Sequence, residues 1–242
     1  MIDIHSHILP GLDDGSGSLA ESLAMARMAV DSGITAMIAT PHCAAGRREE
    51  VLESWRLLKQ ALAENEIPLK LYPGMEIFGT EETVRLLKER KLLTLNGSRY
   101  PLVEFDFFGS GETETLLLYS LCKAGYRPIV AHPERYAFIQ RDPILLNRWS
   151  RMGCLMQVNR GSLLGRFGRQ AQAVAVEMVE RGFAVTVATD AHSCRMRTPW
   201  MADVREMLTR EISPLCAQTL LRDNPRRILK NERLLPLEPE WF

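Results

Sequence analysis

The chain opens Met1-Ile2-Asp3-Ile4-His5-Ser6-His7. Residues 1–4 read as a short buried strand, and two histidines one residue apart stand just beyond its end. If the backbone stays extended there, alternate side chains point the same way, so His5 and His7 can grip one ion. The far end of the chain repeats the device, with a strand over 184–189 followed by Asp190-Ala191-His192. Between them, short aliphatic runs at 35–39, 69–72, 102–105, 129–131 and 155–158 alternate with helical stretches. The helices are expected over 18–33, 48–65, from Thr80 onward, 112–124, from Asp142-Pro143 onward and 169–181. Ser18-Leu19-Ala20-Glu21 has capping-box spacing. The tail over 199–229 reads as helical, with a break or new start at Asn224-Pro225. Strictly alternating βα units predict a parallel sheet, either doubly wound or closed into a barrel, and periodicity does not choose between them.

No low-complexity linker interrupts the 242 residues, which reads as a single domain over 1–242. Hydrophobic residues at 46% and charged residues at 25% exclude a disordered or fibrous chain. Thirty basic side chains balance thirty acidic ones, so there is no global charge to draw the protein onto nucleic acid. No signal-peptide pattern and no run of about 18 apolar residues occurs, so neither nucleic-acid binding nor membrane insertion is expected and the location is read as cytoplasmic. Cys43, Cys122, Cys154, Cys194 and Cys216 are odd in number, scattered and without a C-x-x-C pair, which argues against a disulfide framework or a thiolate metal site.

All five histidines lie just past a predicted strand: His5 and His7 after the first, then His42, His132 and His192. In parallel α/β folds these strand ends form one face, where residues distant in sequence converge. Carboxylates follow the same rule: Asp14 in the first such loop, Glu76 after the third strand, Glu104 ending the fourth and Asp190 ending the seventh. Imidazoles and carboxylates without thiolates suit manganese, iron, zinc or cobalt, and nine such groups exceed the needs of one ion. Two or three divalent ions are implied. A single H-x-H is weak evidence; two paired sites plus four further strand-end ligands form a joint signal.

His5-Ser6-His7, L-D-D-G at 12–15, A-T-P-H at 39–42, G-M-E-I at 74–77, L-V-E-F at 102–105, A-H-P-E-R-Y at 131–136 and T-D-A-H at 189–192 resemble the PHP (polymerase and histidinol phosphatase) superfamily. Within it the chain is similar to the metal-dependent protein-tyrosine phosphatases of bacterial capsule and exopolysaccharide operons. N-G-S-R-Y at 96–100, Q-V-N-R-G-S-L-L-G at 157–165 and N-P-R-R-I-L at 224–229 extend the likeness over nearly the whole chain. The resemblance implies a distorted (β/α)7 TIM-like barrel with a trinuclear centre, manganese first among the metals. It assigns His5, His7, Glu76 and Asp190 to one ion, with Glu76 bridging to a second that takes Glu104 and His132. A third takes Asp14, His42 and His192. Asp13 competes with Asp14 for that role, and motif position favours Asp14. Asp3 is expected to orient a ligand histidine.

The implied reaction is hydrolysis of phosphotyrosine, a metal-bound hydroxide attacking phosphorus in line. The same comparison points to Arg135 and Arg197 as a bidentate clamp on the phosphoryl oxygens. A phenolate leaves with a conjugate acid of pKa ~10, so no dedicated general acid is required. The implied partner is a phosphotyrosine-bearing protein, the tail of a bacterial tyrosine kinase that controls polysaccharide synthesis. Arg160 and the Arg47-Arg48 pair are weaker candidates to meet an acidic peptide. The sequence sets no oligomer count and leaves a homo-oligomer open.

Rival readings are testable. His42-Cys43 followed by Arg48 resembles a cysteine-phosphatase loop, but the sixth position after Cys43 is Glu49, which would repel phosphate. Histidinol phosphate or another small phosphomonoester is the stronger alternative, DNA the weaker. A catalytically silent metal-binding scaffold would be signalled by a missing ligand, and none is missing.

Overall fold

The computed structural model describes residues 1–42, 46–235 and 239–242. Among these residues, eight strands pair in parallel. β1 (Ile2–Asp3), β2 (Ala36–Ala39) and β3 (Lys70–Pro73) form one sheet in that order, and β4 (Glu76–Phe78), β5 (Leu102–Glu104), β6 (Ile129–Ala131), β7 (Leu155–Asn159) and β8 (Ala184–Ala188) form the other. Single parallel bridges link Ser6 to Ala191 and His42 to Glu76. The first is reinforced by Asp190 N–H donating to the His5 carbonyl at 2.9 Å and His7 N–H donating to the Ala191 carbonyl at 2.8 Å. The first and last strands are thereby stitched together where both carry their candidate ligands.

The expected third strand is two. β3 pairs with β2 and β4 with β5, and the chain bends between them at Gly74-Met75. A Cβ at Gly74 would stand 2.9 Å from Ile38 Cγ2 and 3.2 Å from Leu95 Cδ2, so the bend needs a residue without a side chain. As a result Glu76 opens a strand instead of lying in a loop after one.

The helices are α1 (Leu19–Asp31), α2 (Arg48–Glu64), α3 (Thr83–Lys88), α4 (Glu112–Lys123), α5 (Ala137–Arg141), α6 (Ile144–Met152), α7 (Arg160–Leu163), α8 (Arg169–Glu180) and α9 (Ala202–Met207), followed by short helical turns to Leu229. At α1 the Ser18 hydroxyl accepts from Glu21 N–H at 3.2 Å, while the Glu21 carboxylate reaches Gly17 N–H at 3.1 Å, one residue earlier than the standard box. α3 starts three residues after Thr80, because Thr80 N–H caps onto the Thr83 hydroxyl at 2.9 Å. α1 turns Met25, Ala26 and Ala29 into the core. Strands buried on both faces account for the continuous apolar run of β2 and for β8, where Thr186 is the one polar residue.

Two buried aromatics tie neighbouring elements together. The Trp149 indole N–H donates to Thr115 Oγ1 at 2.8 Å, joining α6 to α4. Tyr136, fully buried, donates its hydroxyl to the Ala131 carbonyl at 2.8 Å and accepts from Phe105 N–H at 3.0 Å. That single phenol holds the residues flanking Glu104 and His132 in register. Cys122, Cys154, Cys194 and Cys216 are free thiols; Cys43 lies outside the described residues.

Candidate metal centre

Strand ends from both sheets bring all nine expected ligands to one cluster. Four buried groups form its floor: His5 Nε2 stands 3.0 Å from Glu76 Oε2 and 3.4 Å from Asp190 Oδ1, and His7 Nε2 stands 3.2 and 3.3 Å from the same two oxygens. The two imidazole nitrogens are 3.3 Å apart. A tetrahedron of nitrogen and oxygen donors about 2.0–2.1 Å from a central ion has edges of about 3.3–3.4 Å, so these separations suit a divalent ion. Glu76 Oε2 and Asp190 Oδ1 are buried and make no hydrogen bond among the described residues, as expected of atoms aimed at a cation.

Next to this floor, His132 Nε2 lies 3.0 Å from Glu76 Oε1 and 3.5 Å from Glu104 Oε1. His42 Nδ1 lies 3.2 Å from Glu76 Oε2 and 3.7 Å from Glu104 Oε2. His42 therefore neighbours the Glu76–Glu104 group as well as the outer one. That outer group contains Asp14, whose Oδ1 is 3.5 Å from His192 Nε2 and 4.0 Å from His42 Nε2, and His7 also lies within its reach. His192 Nε2 is another buried atom without a hydrogen bond among the described residues.

Neighbours fix the rings. His5 Nδ1 donates to Gln157 Oε1 at 2.8 Å and His7 Nδ1 to Asp13 Oδ2 at 2.7 Å, so each Nε2 faces the floor and offers it a lone pair once its proton is displaced. His192 Nδ1 donates to the Asp190 carbonyl at 2.9 Å. Asp13 also accepts from Gly15 N–H and His42 N–H at 3.0 and 2.8 Å, so it braces the cluster while Asp14 faces His42 and His192. Asp3 differs from expectation. Its carboxylate accepts from the backbone N–H groups of His5 and Thr189 and from the Thr189 hydroxyl, tying β1 to β8 without touching an imidazole.

Charges follow the geometry. Burial alone would lower His5 and His7, but the Glu76 and Asp190 carboxylates, with Asp13 for His7, hold both above the ordinary histidine range. Against burial, the same histidines keep Glu76 and Asp190 well below the usual carboxylate range. Glu104, penalised by burial and then by the Glu76 charge, is pushed up to about 7. His192 is brought down to about 4 by burial and by His7. In this state protons stand where a cation would, which is the chemistry of a metal-binding donor set.

Two arginines close the cluster on one side. Arg135 Nη1 is 3.3 Å from Asp190 Oδ2, and Arg197 donates to the same oxygen, to which Asn159 Nδ2 also donates at 2.6 Å. His132, Asp190 and Arg197 all have left-handed backbone, with φ of 34°, 52° and 51°. Such conformations cost about 1–3 kcal/mol each in a residue with a side chain, and three at one site mark backbone held for a purpose. Arg160 does not face the site: it is buried and paired with Asp203, with a weaker bond to the Thr198 carbonyl at 3.5 Å.

Sequence reasoning gave Gln157, Asn159 and Glu134 no role. Gln157 Nε2 donates to Asn159 Oδ1 at 2.7 Å, which extends the His5 support to Asp190. Glu134, raised to about 7 by burial, accepts from Asn159 N–H at 2.9 Å and the Ser162 hydroxyl at 2.6 Å. The available signal was a β7 buried at all five positions yet carrying amides at alternate ones.

Comparison with known proteins finds close likenesses over nearly the whole chain. Residues 1–230 match the family described as capsular polysaccharide synthesis, CpsB/CapC. The chain is 37% identical to the tyrosine-protein phosphatase YwqE of Bacillus subtilis (strain 168), covering 99% of this chain and 96% of that one. It is 29% identical to the tyrosine-protein phosphatase CpsB of Streptococcus pneumoniae, covering 96% and 99%. A crystal structure reported for YwqE and CpsB, described as unique metal-dependent tyrosine phosphatases, superposes with a TM-score of 0.94 at 36% identity over 100% of this chain and 99% of the other. D-hydantoinase from Bacillus sp. AR9 shares only the α/β fold, with a TM-score of 0.57 at 12% identity over 93% of this chain and 70% of that one.

Proposed function

The chain belongs to the CpsB/CapC family of capsular polysaccharide synthesis, and on that premise we propose that it is a metal-dependent phosphotyrosine-protein phosphatase. The observation that carries this reading is the convergence of two buried carboxylate oxygens, Glu76 Oε2 and Asp190 Oδ1, on two imidazole nitrogens beneath two arginines. The fold is read as one (β/α)7 barrel over residues 1–242, β3 and β4 counting as one bent strand and the two single bridges closing the ring. His5, His7, Glu76 and Asp190 would hold one ion, Glu76, Glu104 and His132 a second, and Asp14, His42 and His192 a third. Manganese is the first metal to test.

When bound, such ions neutralise phosphoryl charge and acidify water to a pKa of roughly 7 in favourable cases. The chain's own residues do the rest. Arg135 and Arg197 exchange their contact with Asp190 Oδ2 for phosphoryl oxygens, and Asn159 keeps that oxygen satisfied when they leave. Gln157 and Asp13 keep the His5 and His7 rings from turning as charge moves through the site. The phenolate of tyrosine departs without a dedicated acid. The partner would be a phosphotyrosine-bearing segment of a capsule-associated kinase, met in the cytoplasm; a homo-oligomer remains compatible. Among the described residues no helix is long and apolar enough to cross a membrane.

Metal-stripped protein should be inert, and manganese should restore hydrolysis of a phosphotyrosine peptide in the wild type and in Cys43→Ser but not in His132→Ala. Restored turnover of histidinol phosphate or a DNA oligonucleotide with the peptide untouched would overturn the substrate class. Inertness toward all three would favour a silent scaffold.

A further inference from the structure

Beside the ligand cluster, two phenylalanines flank Arg135 and a third lines the same cleft. The Phe107 ring lies 4.7 Å from the Arg135 guanidinium carbon and the Phe167 ring 4.3 Å from it. Phe107 also stacks on the His132 imidazole, with centroids 5.8 Å apart and planes inclined by 14°. Phe167 is seated on Gly161, where a Cβ would come within 2.6 Å of its ring, so the glycine makes room for the aromatic. Phe108 is 86% exposed, although its backbone N–H is fixed by Asp106 Oδ1 at 2.8 Å. These rings, Arg135 and Gln140 line a cleft of about 400 Å³.

Arg135 belongs to both places. Its Nη1 reaches the Asp190 carboxylate of the cluster while its faces are covered by the cleft aromatics. A phosphoryl group binding that guanidinium does so along its edge, because the N–H bonds lie in its plane. The cleft lined by Phe107 and Phe108 then lies next to the phosphoryl group and is open to its ester substituent. We propose that this cleft is the aryl subsite of the phosphatase, in which Phe107, Phe108 and Phe167 receive the phenyl ring of the substrate phosphotyrosine. The inference rests on the phosphatase reading above and deepens it by naming what selects an aryl over an alkyl ester. Aromatic rings at centroid separations of 4.5–7 Å gain from offset or edge contacts that a serine phosphate lacks.

The test is steady-state kinetics of manganese-loaded wild type, Phe108→Ala and Phe167→Leu on free phosphotyrosine and on a phosphotyrosine peptide, with inorganic phosphate as a competitive inhibitor. Phe108→Ala should raise KM for free phosphotyrosine about three- to tenfold, the scale of one aromatic contact, with phosphate inhibition within about twofold of wild type. Phe167→Leu should act in the same direction, and melting curves of both variants should match the wild type. An unchanged KM in both variants overturns the subsite. So does a parallel loss of phosphate and phosphotyrosine binding, which would mean that the rings only brace Arg135. A higher KM confined to the peptide also overturns it, since the cleft would then hold a neighbouring residue. A wild type that hydrolyses other phosphomonoesters but not phosphotyrosine fails the phosphatase reading itself, and this inference with it.

Discussion

The two ends of the ligand cluster are built differently. At the inner end His5, His7, Glu76 and Asp190 are at most 1% exposed, and their spare atoms are engaged by Gln157, Asp13 and Asn159. At the outer end the Asp14 side chain is 67% exposed and that of His42 37%. The inner donors stand 3.0–3.4 Å apart, whereas Asp14 is 3.5–4.0 Å from its neighbours. Preorganised donors bind an ion without first ordering themselves; exposed ones must exchange water and rotamer freedom for it. The account therefore makes the inner site the tight one and the outer site the exchangeable one.

The largest effect should come from the inner end. Asp190→Asn removes the anion that faces both histidines and anchors both arginines, and kcat/KM should fall by about a thousandfold, with less metal retained after dialysis. Activity above a tenth of wild type would break the comparison. Asp14→Asn should be milder: about ten- to a hundredfold in kcat/KM, partly recovered by excess manganese, with one ion fewer by elemental analysis and the inner end still loaded. Equal effects of the two substitutions would erase the distinction. Gln157→Leu leaves every ligand in place and frees the His5 ring, so metal affinity should drop by about ten- to a hundredfold while kcat at saturating metal stays close to wild type. A kcat loss that metal does not correct would show that Gln157 does more than orient His5.

The smallest signal sharpens the same contrast. His5 and His7 are raised above the ordinary histidine range in the metal-free protein, so their charged contacts with Glu76 and Asp190 stabilise it fully below about pH 6.5 and are lost as pH rises through the raised values. Filling the inner site must expel those protons, whereas His192, already neutral because its value sits at about 4, has none to give near pH 7. Calorimetric metal titration in buffers of different ionisation enthalpy should therefore report proton release for the inner ion and little for the outer. Buffer-independent heats throughout would contradict that assignment.

What could be read in the sequence was whatever lies on the alternation of strands and helices. His5, His7, His132 and His192 are at strand ends because the period of the chain puts them there, and all nine expected ligands do meet in space. The bend at Gly74 was not legible, because its cause is the approach of Ile38 and Leu95 from other elements. The division of labour between Asp13 and Asp14 was read only through motif position: adjacent carboxylates look alike in sequence, and it is the turn of the loop that aims one at His7 Nδ1 and the other outward. Asp3 and Arg160 were read as site neighbours from proximity alone, and each is instead committed to tying two elements together. The supporting amides of β7 belong to a middle case, visible as an alternation of Gln157 and Asn159 whose partners the sequence does not name.

The most direct test is a graded chelator titration of manganese-loaded protein, followed by native mass spectrometry on wild type and Asp14→Asn. The account predicts stepwise loss, one ion leaving the wild type first and the Asp14→Asn protein lacking that same ion from the start while its remaining metal resists chelation as in the wild type. Simultaneous loss of all metal, or an Asp14→Asn protein with the wild-type complement, would contradict it.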